Sequence, residues 1–80
     1  MNWKEYIVSD PAILSGKPVV KGTRLSVEFI VGRLANGWSE SEVLENYASS
    51  DKDALQAVHA YTYDLLQDSL LYLPVDLNAA

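Results

Sequence analysis

One histidine and two pairs of carboxylates are the side chains of this sequence that suit acid–base or metal chemistry. His59 is the only histidine, so any general base or imidazole ligand would have to be that residue. Its neighbours one turn away on a predicted helix include no carboxylate that would fix its tautomer or support a metal. The carboxylate pairs have spacings that solvated helix faces also use: Asp64 with Asp68, and Glu42 with Glu45. We therefore expect neither an enzyme nor a bound metal or cofactor.

A segment over residues 16–23, rich in glycine and lysine, can be tested as a phosphate-binding loop. A Walker loop needs four residues between its glycines and a lysine after the second, whereas five separate Gly16 from Gly22 and no lysine follows. That motif is excluded. The segment instead supplies cations of the kind that contact DNA phosphates. The candidate nucleic-acid residues are Lys17, Lys21, Thr23, Arg24 and Arg33.

The charge of the chain is divided between a basic first part and an acidic second part. The net charge is −5, which argues against generic nucleic-acid binding by a free monomer. Residues 1–33 nevertheless contain five cations and three anions, whereas residues 34–80 contain one cation and eight anions. One end of the molecule is therefore suited to phosphate and the other to a basic partner. The alternative is an acidic surface that only keeps the protein in solution.

Length and composition predict one small folded domain over residues 1–80. Hydrophobic residues are 49% and charged residues 21% of the sequence, close to the globular average. Cysteine is absent, which excludes disulfides and cysteine-bound zinc, and self-association is one way to support so small a core. No apolar run approaches the ~20 residues of a membrane span, and residues 1–20 lack the order of a signal peptide. We expect a cytoplasmic protein without membrane contact.

Residues 1–25 are predicted to form an N-terminal β arm that ends in a hairpin. Two β-prone runs flank a Lys-Gly pair, in which Gly22 can take the positive φ of a tight turn. We expect Val20 to pair with Thr23 across this turn, or a register shifted by one residue if Gly22 forms a bulge. Alternation along the strands then turns the nearby cations outward.

Three helix starts follow within residues 26–73, and residues 74–80 are a tail. Ser26, Ser39 and Ser50 stand at predicted N-cap positions, each before an apolar pattern of helical period. The expected helices have about 11, 8 and 20 residues. The middle helix is too short for an up-down bundle. The pattern therefore predicts a mainly α fold, with a trihelical, homeodomain-like helix-turn-helix core and a long third helix.

The end of the third helix, predicted near Leu70, carries apolar residues on more than one side. Twenty residues of helix span ~30 Å, which is long for a domain of this size, so the end should extend beyond the core. The pattern predicts one contact with the core and one with another chain; the alternative is that the N-terminal arm covers the second side. The candidate dimer or partner residues are Tyr61, Leu65, Leu66, Leu70, Tyr72 and Leu73.

Two sequence motifs identify a family. They are Gly-Lys-Pro-Val-Val-Lys-Gly-Thr-Arg-Leu at 16–25 and Gly-Trp-Ser at 37–39. Over about residues 5–63 the sequence resembles a bacterial family known as domain of unknown function 433. The resemblance implies a homeodomain-like trihelical domain behind a short β element, and family members are often proposed as antitoxins paired with PIN-like nuclease toxins. The sequence departs from the family at Ser15, where a second glycine is frequent, and at Ala48, where a proline commonly follows the tyrosine.

Two functional hypotheses follow. The first is an antitoxin-like, dimeric DNA-binding regulator, whose basic hairpin contacts promoter DNA and whose acidic C-terminal part binds a PIN-like toxin. The second is a small dimeric protein-interaction module without DNA binding, supported by the net charge of −5. The basic motif also has structural alternatives. Thr23 can serve a turn hydrogen bond, and Arg24 can pair with Glu28 or Asp10.

Overall fold

Three helices follow a two-stranded sheet near the N-terminus of the molecule. The computed structural model describes residues 1–47 and 51–68. Its elements, in chain order, are a 3₁₀ turn at Trp3–Glu5, strand β1 at Ile7–Val8, a 3₁₀ turn at Leu14–Gly16, strand β2 at Val19–Val20, and helices α1 at Val27–Ala35, α2 at Glu40–Asn46 and α3 at Lys52–Gln67. The expected mainly α architecture with a short β element is confirmed. Within this part of the chain, no helix has the length and apolarity that a bilayer span requires.

The first two helices begin and end where local capping chemistry predicts. The Ser26 hydroxyl accepts the N–H of Phe29 at 2.9 Å at the start of α1, and Gly37 takes a φ of +94° just beyond its end. At α2, Ser39 and Glu42 form a reciprocal capping box. Both predicted caps are confirmed, because these side chains satisfy amide donors that helix geometry leaves unbonded.

Helix α3 begins one residue later than the sequence pattern predicted, and the described residues follow it to Gln67. Asp51 caps it, with its carboxylate accepting the N–H of Ala54 at 2.7 Å, and the helix has 16 residues. The expected cap at Ser50 is displaced by one residue, because a carboxylate both accepts the amide and favours the positive end of the helix dipole. Sixteen residues span ~24 Å. Any extension toward Leu70 lies outside the described residues, as does Ser50 itself.

Side chains from both strands and all three helices form one core. The buried apolar residues are Ile7, Val19, Val20, Val27, Ile30, Val43, Ala54, Leu55, Ala57 and Val58. Within α3 the buried positions recur at spacings of three and four residues, which leaves the opposite face for solvent. Two of these buried α3 positions, Ala54 and Ala57, carry small side chains.

Strand β2 pairs with β1. The antiparallel register places Ile7 opposite Val20 and Val8 opposite Val19. After β2 the chain turns back, and the N–H of Val20 donates to the carbonyl of Leu25 at 2.9 Å. The N–H of Thr23 does donate to the carbonyl of Val20 at 3.0 Å and closes a turn over Lys21 and Gly22. The predicted register is nevertheless wrong, because the antiparallel pairing places Val19 opposite Ser26 and not Val20 opposite Thr23. The Thr23 hydroxyl accepts the N–H of Leu25 at 3.0 Å, and this side-chain hydrogen bond supports a wider turn.

The first 3₁₀ turn is fastened to α3. Trp3 packs edge-on against Tyr61, with ring centroids 4.7 Å apart, and its indole N–H donates to the carboxylate of Asp64. An aromatic pair of this geometry contributes ~0.5–1.5 kcal/mol beyond the burial of its area. The N-terminal arm thus covers α3 at Tyr61 and Asp64. The apolar end near Leu70, for which the two arrangements were considered, lies outside the described residues.

Ser15 has a left-handed backbone conformation, with φ 59° and ψ 30°. Outside glycine, this region is disfavoured by ~1–2 kcal/mol because the Cβ approaches the following carbonyl oxygen. Ser15 is also the position at which the resembled family often has a second glycine. The serine therefore introduces backbone strain that a glycine at this position would not have.

We predict that Ser15→Gly raises the free energy of unfolding by ~0.5–1 kcal/mol, since relief of the left-handed strain exceeds the added entropy of the unfolded chain. Urea unfolding followed by circular dichroism measures the change. Ser41→Gly within α2 is the control and should lower stability by ~0.5–1 kcal/mol, because glycine disfavours helix. A Ser15→Gly protein that is no more stable than the wild type would contradict the strain.

Candidate functional site

The basic turn, residues 21–24, presents two cations beyond the end of β2. Lys21 and Arg24 are exposed, and neither side chain makes an ion pair or hydrogen bond with any residue of 1–47 or 51–68. Gly22 has a φ of +79°, the left-handed value that the third residue of a type II turn requires. The turn is tied to the N-terminal arm, because the N–H of Lys21 donates to the carbonyl of Tyr6 at 2.7 Å. The two cations therefore project from a fixed support.

Thr23 shapes the basic turn from within. Its hydroxyl donates to the carbonyl of Val20 at 2.8 Å and accepts the N–H of Leu25 at 3.0 Å. A hydroxyl has a single proton to donate, and here that proton is bound inside the turn. Both hydrogen bonds of the Thr23 hydroxyl are therefore bonds of the turn, which is the structural role considered for this residue in the sequence.

Lys17 and Arg33 line one cleft of about 400 Å³ beside α1. The Lys17 Nζ lies 3.1 Å from a carboxylate oxygen of Glu28, in an exposed ion pair of the kind that adds little stability. Glu28 was one of the two carboxylates considered as a partner of Arg24, and it pairs with Lys17 instead. The structure brings two of the candidate cations together in this cleft and holds two others on the basic turn.

Arg33 belongs to a cluster of aromatic rings, which we call the Arg33 cluster: Phe29, Arg33, Trp38 and Tyr47. The guanidinium carbon lies 4.7 Å from the ring centroid of Phe29 and 5.2 Å from that of Trp38. Tyr47 meets Phe29 edge-on and stacks on Trp38. The Nε of Arg33 is buried and has no hydrogen-bond partner in the described part of the chain. Cation–π contacts therefore hold this arginine between α1 and the residues that flank α2.

The predicted dimer or partner residues are differently placed along α3. Tyr61 contacts Trp3 within the same chain, and Leu65 is half-buried. Leu66 is 42% exposed, and Tyr63, an aromatic residue of the same acidic segment, is 60% exposed. Three further candidates lie outside the described residues: Leu70, Tyr72 and Leu73. The exposed apolar surface that the structure describes on α3 therefore centres on Tyr63 and Leu66.

Helix α2 brings a carboxylate to His59. A carboxylate oxygen of Glu40 lies 2.9 Å from Nε2 of His59. Neighbours on the histidine's own helix could not reveal this partner, because the contact joins residues 19 apart in sequence. The two side chains are 50% and 61% exposed, and no group of three or more potential metal ligands occurs in the described ranges. The pair links α2 to α3, as an ion pair when the histidine is protonated.

The fold and the site define a small, mainly helical domain that displays a cationic turn next to a two-stranded sheet. The chain belongs to the family described as protein of unknown function DUF433, whose model matches residues 7–62. That range contains both strands, α1, α2 and most of α3. The family expected from the two sequence motifs is confirmed, and the exposed end of α3 lies beyond the matched range.

A similar protein is the uncharacterized protein y4eO of Sinorhizobium fredii (strain NBRC 101917 / NGR234). It is 36% identical over 58 residues, which are 72% of this chain and 26% of that protein. The match therefore spans about a quarter of the length of this relative. No solved structure gives a significant match.

We predict that Thr23→Ala lowers the free energy of unfolding by ~1–2 kcal/mol, because it removes two hydrogen bonds from a partly buried turn. Urea unfolding measures the loss. Thr62→Ala is the matched control, since its hydroxyl donates only to the carbonyl of Val58 at 2.8 Å and alanine favours helix. If Thr23→Ala and Thr62→Ala both left the free energy of unfolding unchanged, the Thr23 hydroxyl would not stabilise the turn.

Proposed function

We propose that this protein is an antitoxin-like regulator of the trihelical helix-turn-helix type, which acts as a dimer, binds promoter DNA through the basic turn and binds a PIN-like nuclease toxin through α3. The DNA-binding part depends on one observation. Lys21 and Arg24 are exposed cations without a partner in the described ranges, on a turn that is bonded to the N-terminal arm. The proposal assigns no catalysis to this chain.

The DNA contact is assigned to the basic turn because α3 is poorly suited to it. In many helix-turn-helix proteins a late helix enters the major groove. Here the first turn of α3 is preceded by the Asp51 cap and contains Asp53, and carboxylates repel phosphates. Two cations per chain give weak, salt-sensitive binding, and a twofold dimer doubles their number.

The acidic part of the molecule suits a basic protein partner. Residues 34–80 contain eight anions and one cation, and α3 exposes Tyr63 and Leu66 beside Asp64 and Asp68. Apolar anchors supply affinity, while the surrounding charges steer association. A nuclease needs a cationic surface to hold its phosphodiester substrate, and α3 would cover such a surface. The PIN type of the toxin rests on the family resemblance.

The compartment follows from the proposed partners. A regulator that binds promoter DNA and restrains a nuclease must share their compartment, which in a bacterium is the cytoplasm.

A second candidate is a dimeric protein-interaction module that does not bind DNA. The net charge of −5 favours it, as does the Lys17–Glu28 pair, which neutralises one candidate DNA contact. The two candidates differ in one measurable property, the retention of duplex DNA at low salt.

We predict that Lys21→Glu combined with Arg24→Glu abolishes binding to duplex DNA from the protein's own promoter region, because these cations supply the attraction to phosphate. Gel retardation over a range of salt concentrations measures the affinity and its salt dependence. Thermal unfolding should change by only a few degrees, since exposed, unpaired cations contribute little to folding.

The matched control is Lys4→Glu combined with Lys52→Glu, which changes the net charge by the same amount at positions away from the basic turn. This control should weaken binding far less. Equal losses in the two double variants would mean that binding follows net charge alone. Absence of wild-type binding at every salt concentration would favour the interaction module.

We predict that Leu66→Ser weakens binding to a PIN-like nuclease encoded beside this protein by at least about tenfold, as expected for an anchor residue in an interface. A chain that ends at Asp68 should lose binding as well, which tests Leu70, Tyr72 and Leu73, while keeping its helical circular dichroism. Leu14→Ser, at another exposed leucine, is the control. A pull-down in which both altered proteins captured the nuclease at wild-type strength would locate the partner surface elsewhere.

A further inference from the structure

Arg33 is a cation that the fold holds in place without a counter-ion among the described residues. Within residues 1–47 and 51–68 its buried Nε has no hydrogen-bond partner, and the side chain forms no ion pair or hydrogen bond. The rings of Phe29 and Trp38 hold the guanidinium through its charge, but they do not supply the acceptors that its N–H donors need. A cation that is partly shielded from water gains more from an anion than an exposed one does. Arg33 is therefore a positioned donor group with unused hydrogen-bonding capacity.

The cleft beside α1, which Arg33 lines, has the size of a small-molecule site. Its volume is about 400 Å³, within the ~300–1,000 Å³ typical of ligand pockets. A Cβ added at Gly32 would meet no atom within 4 Å, so the space over this turn of the helix is open. Most of the lining comes from one side of α1 and its C-cap, at spacings of three and four residues: Glu28, Phe29, Gly32, Arg33 and Asn36. The guanidinium thus borders a space that a ligand can enter.

The charges of the cleft favour a ligand with a single negative charge. The lining contains two cations and one anion, and Lys17 already pairs with Glu28 at 3.1 Å. One positive charge, that of Arg33, is left without compensation. The Glu28 side chain is 73% exposed, and it repels a dianion or a polyanion such as duplex DNA more strongly than it repels one carboxylate. The uncompensated charge therefore fits a monoanion.

The neutral residues of the cleft suit the remaining parts of such a ligand. Phe29 is 37% exposed and offers an apolar wall, while the open space over Gly32 lets a flat group lie close to the helix backbone. The exposed side-chain amide of Asn36 has no hydrogen bond to a described residue and is able to donate to a carboxylate oxygen. A guanidinium donates two parallel hydrogen bonds to the same kind of group. The lining thus combines donors for a carboxylate with a surface for an apolar body.

We propose that the cleft beside α1 binds a small organic carboxylate with a flat apolar body. Arg33 and Asn36 donate to the carboxylate, and Phe29 contacts the apolar body. The other rings of the Arg33 cluster act by holding the guanidinium in position. Arg33, a candidate DNA contact in the sequence, is thereby assigned to a small ligand instead. The site goes beyond the proposed function, because neither the basic turn nor α3 contributes a lining residue.

Titration of the isotope-labelled full chain with sodium benzoate, followed by NMR, tests the proposal. Benzoate should bind saturably with a Kd on the order of 1 mM, as expected for so small a ligand. The amide signals of Gly32 and Asn36 and the indole signal of Trp38 should shift. The indole signal of Trp3, which packs against Tyr61 of α3, should stay in place. Absence of a saturable shift, or shifts centred on the basic turn, would overturn the proposal.

Three related probes separate the parts of the ligand. Benzamide, which has the ring but no charge, and acetate, which has the charge but no ring, should each bind at least about tenfold more weakly than benzoate. Acetate that binds as tightly as benzoate would overturn the assignment of an apolar body. N-acetylglutamate amide carries its carboxylate on a protein-like side chain and should bind no better than acetate. Binding of this probe more tightly than benzoate would assign the cleft to an acidic side chain of another protein and overturn the proposal.

Substitutions in the cleft test its residues one by one. Arg33→Gln should weaken benzoate binding at least about tenfold, and Arg33→Lys should lie between this variant and the wild type, because lysine keeps the charge but lacks the planar donor fork. Gly32→Leu should abolish binding by filling the cleft, and it keeps the helix because leucine favours helix more than glycine does. Arg24→Gln, which removes a cation from the basic turn, is the control and should bind benzoate as the wild type does. Wild-type affinity in Arg33→Gln or in Gly32→Leu would overturn the proposal.

Glu28→Gln tests the charge balance in the opposite direction. It removes the repulsion by Glu28 and releases Lys17, so benzoate should bind about threefold more tightly. Weaker binding in this variant would overturn the assignment of a monoanion.

DNA is the competing occupant of the cleft. Loss of DNA binding by Arg33→Gln, in a protein that does not bind benzoate, would assign the cleft to a phosphodiester and overturn the proposal. The benzoate titration needs no DNA. A wild type that binds benzoate in the cleft but never binds DNA would therefore contradict the proposed regulator and support the ligand site.

Discussion

The fold depends on the hydrogen bonds that β2 makes along both of its edges. One edge pairs with β1, and on the other side the N–H of Val20 donates to Leu25 while the N–H of Val27 donates to the carbonyl of Pro18. Strands of two residues have little stability on their own in water. Here Val19 is completely buried, so the paired backbone is shielded from competing water. The position of the basic turn and the direction in which the chain enters α1 both follow from this short strand.

Local chemistry made two of the three helix starts predictable, whereas the third start and the hairpin register depended on which of several nearby groups forms the hydrogen bond. The Ser26 and Ser39 caps could be predicted because each bonds an amide three residues away. The cap of the third helix is Asp51 and not the expected Ser50, because a carboxylate also favours the positive end of the helix dipole. The predicted hairpin register was wrong for a comparable reason. A glycine that favours a turn at position 22 does not specify which carbonyl accepts the N–H of Val20.

The candidate site was predictable in composition and less so in arrangement. The sequence identified Lys21 and Arg24 as cations of a turn, and the structure exposes both. The sequence could not reveal that Glu28 pairs with Lys17, or that Arg33 lies between two aromatic rings. These contacts depend on how α1 packs against the neighbouring parts of the chain. Residue type predicts which groups can bind phosphate. The packing of the helices decides which of them already have other contacts.

The contact between the first 3₁₀ turn and α3 also determines how such a domain can be joined to other polypeptide. Because the indole of Trp3 is hydrogen-bonded to Asp64, the first residues and the last described turns of α3 lie side by side. Polypeptide that continued from these two elements in a longer protein would therefore leave this part of the domain at neighbouring points.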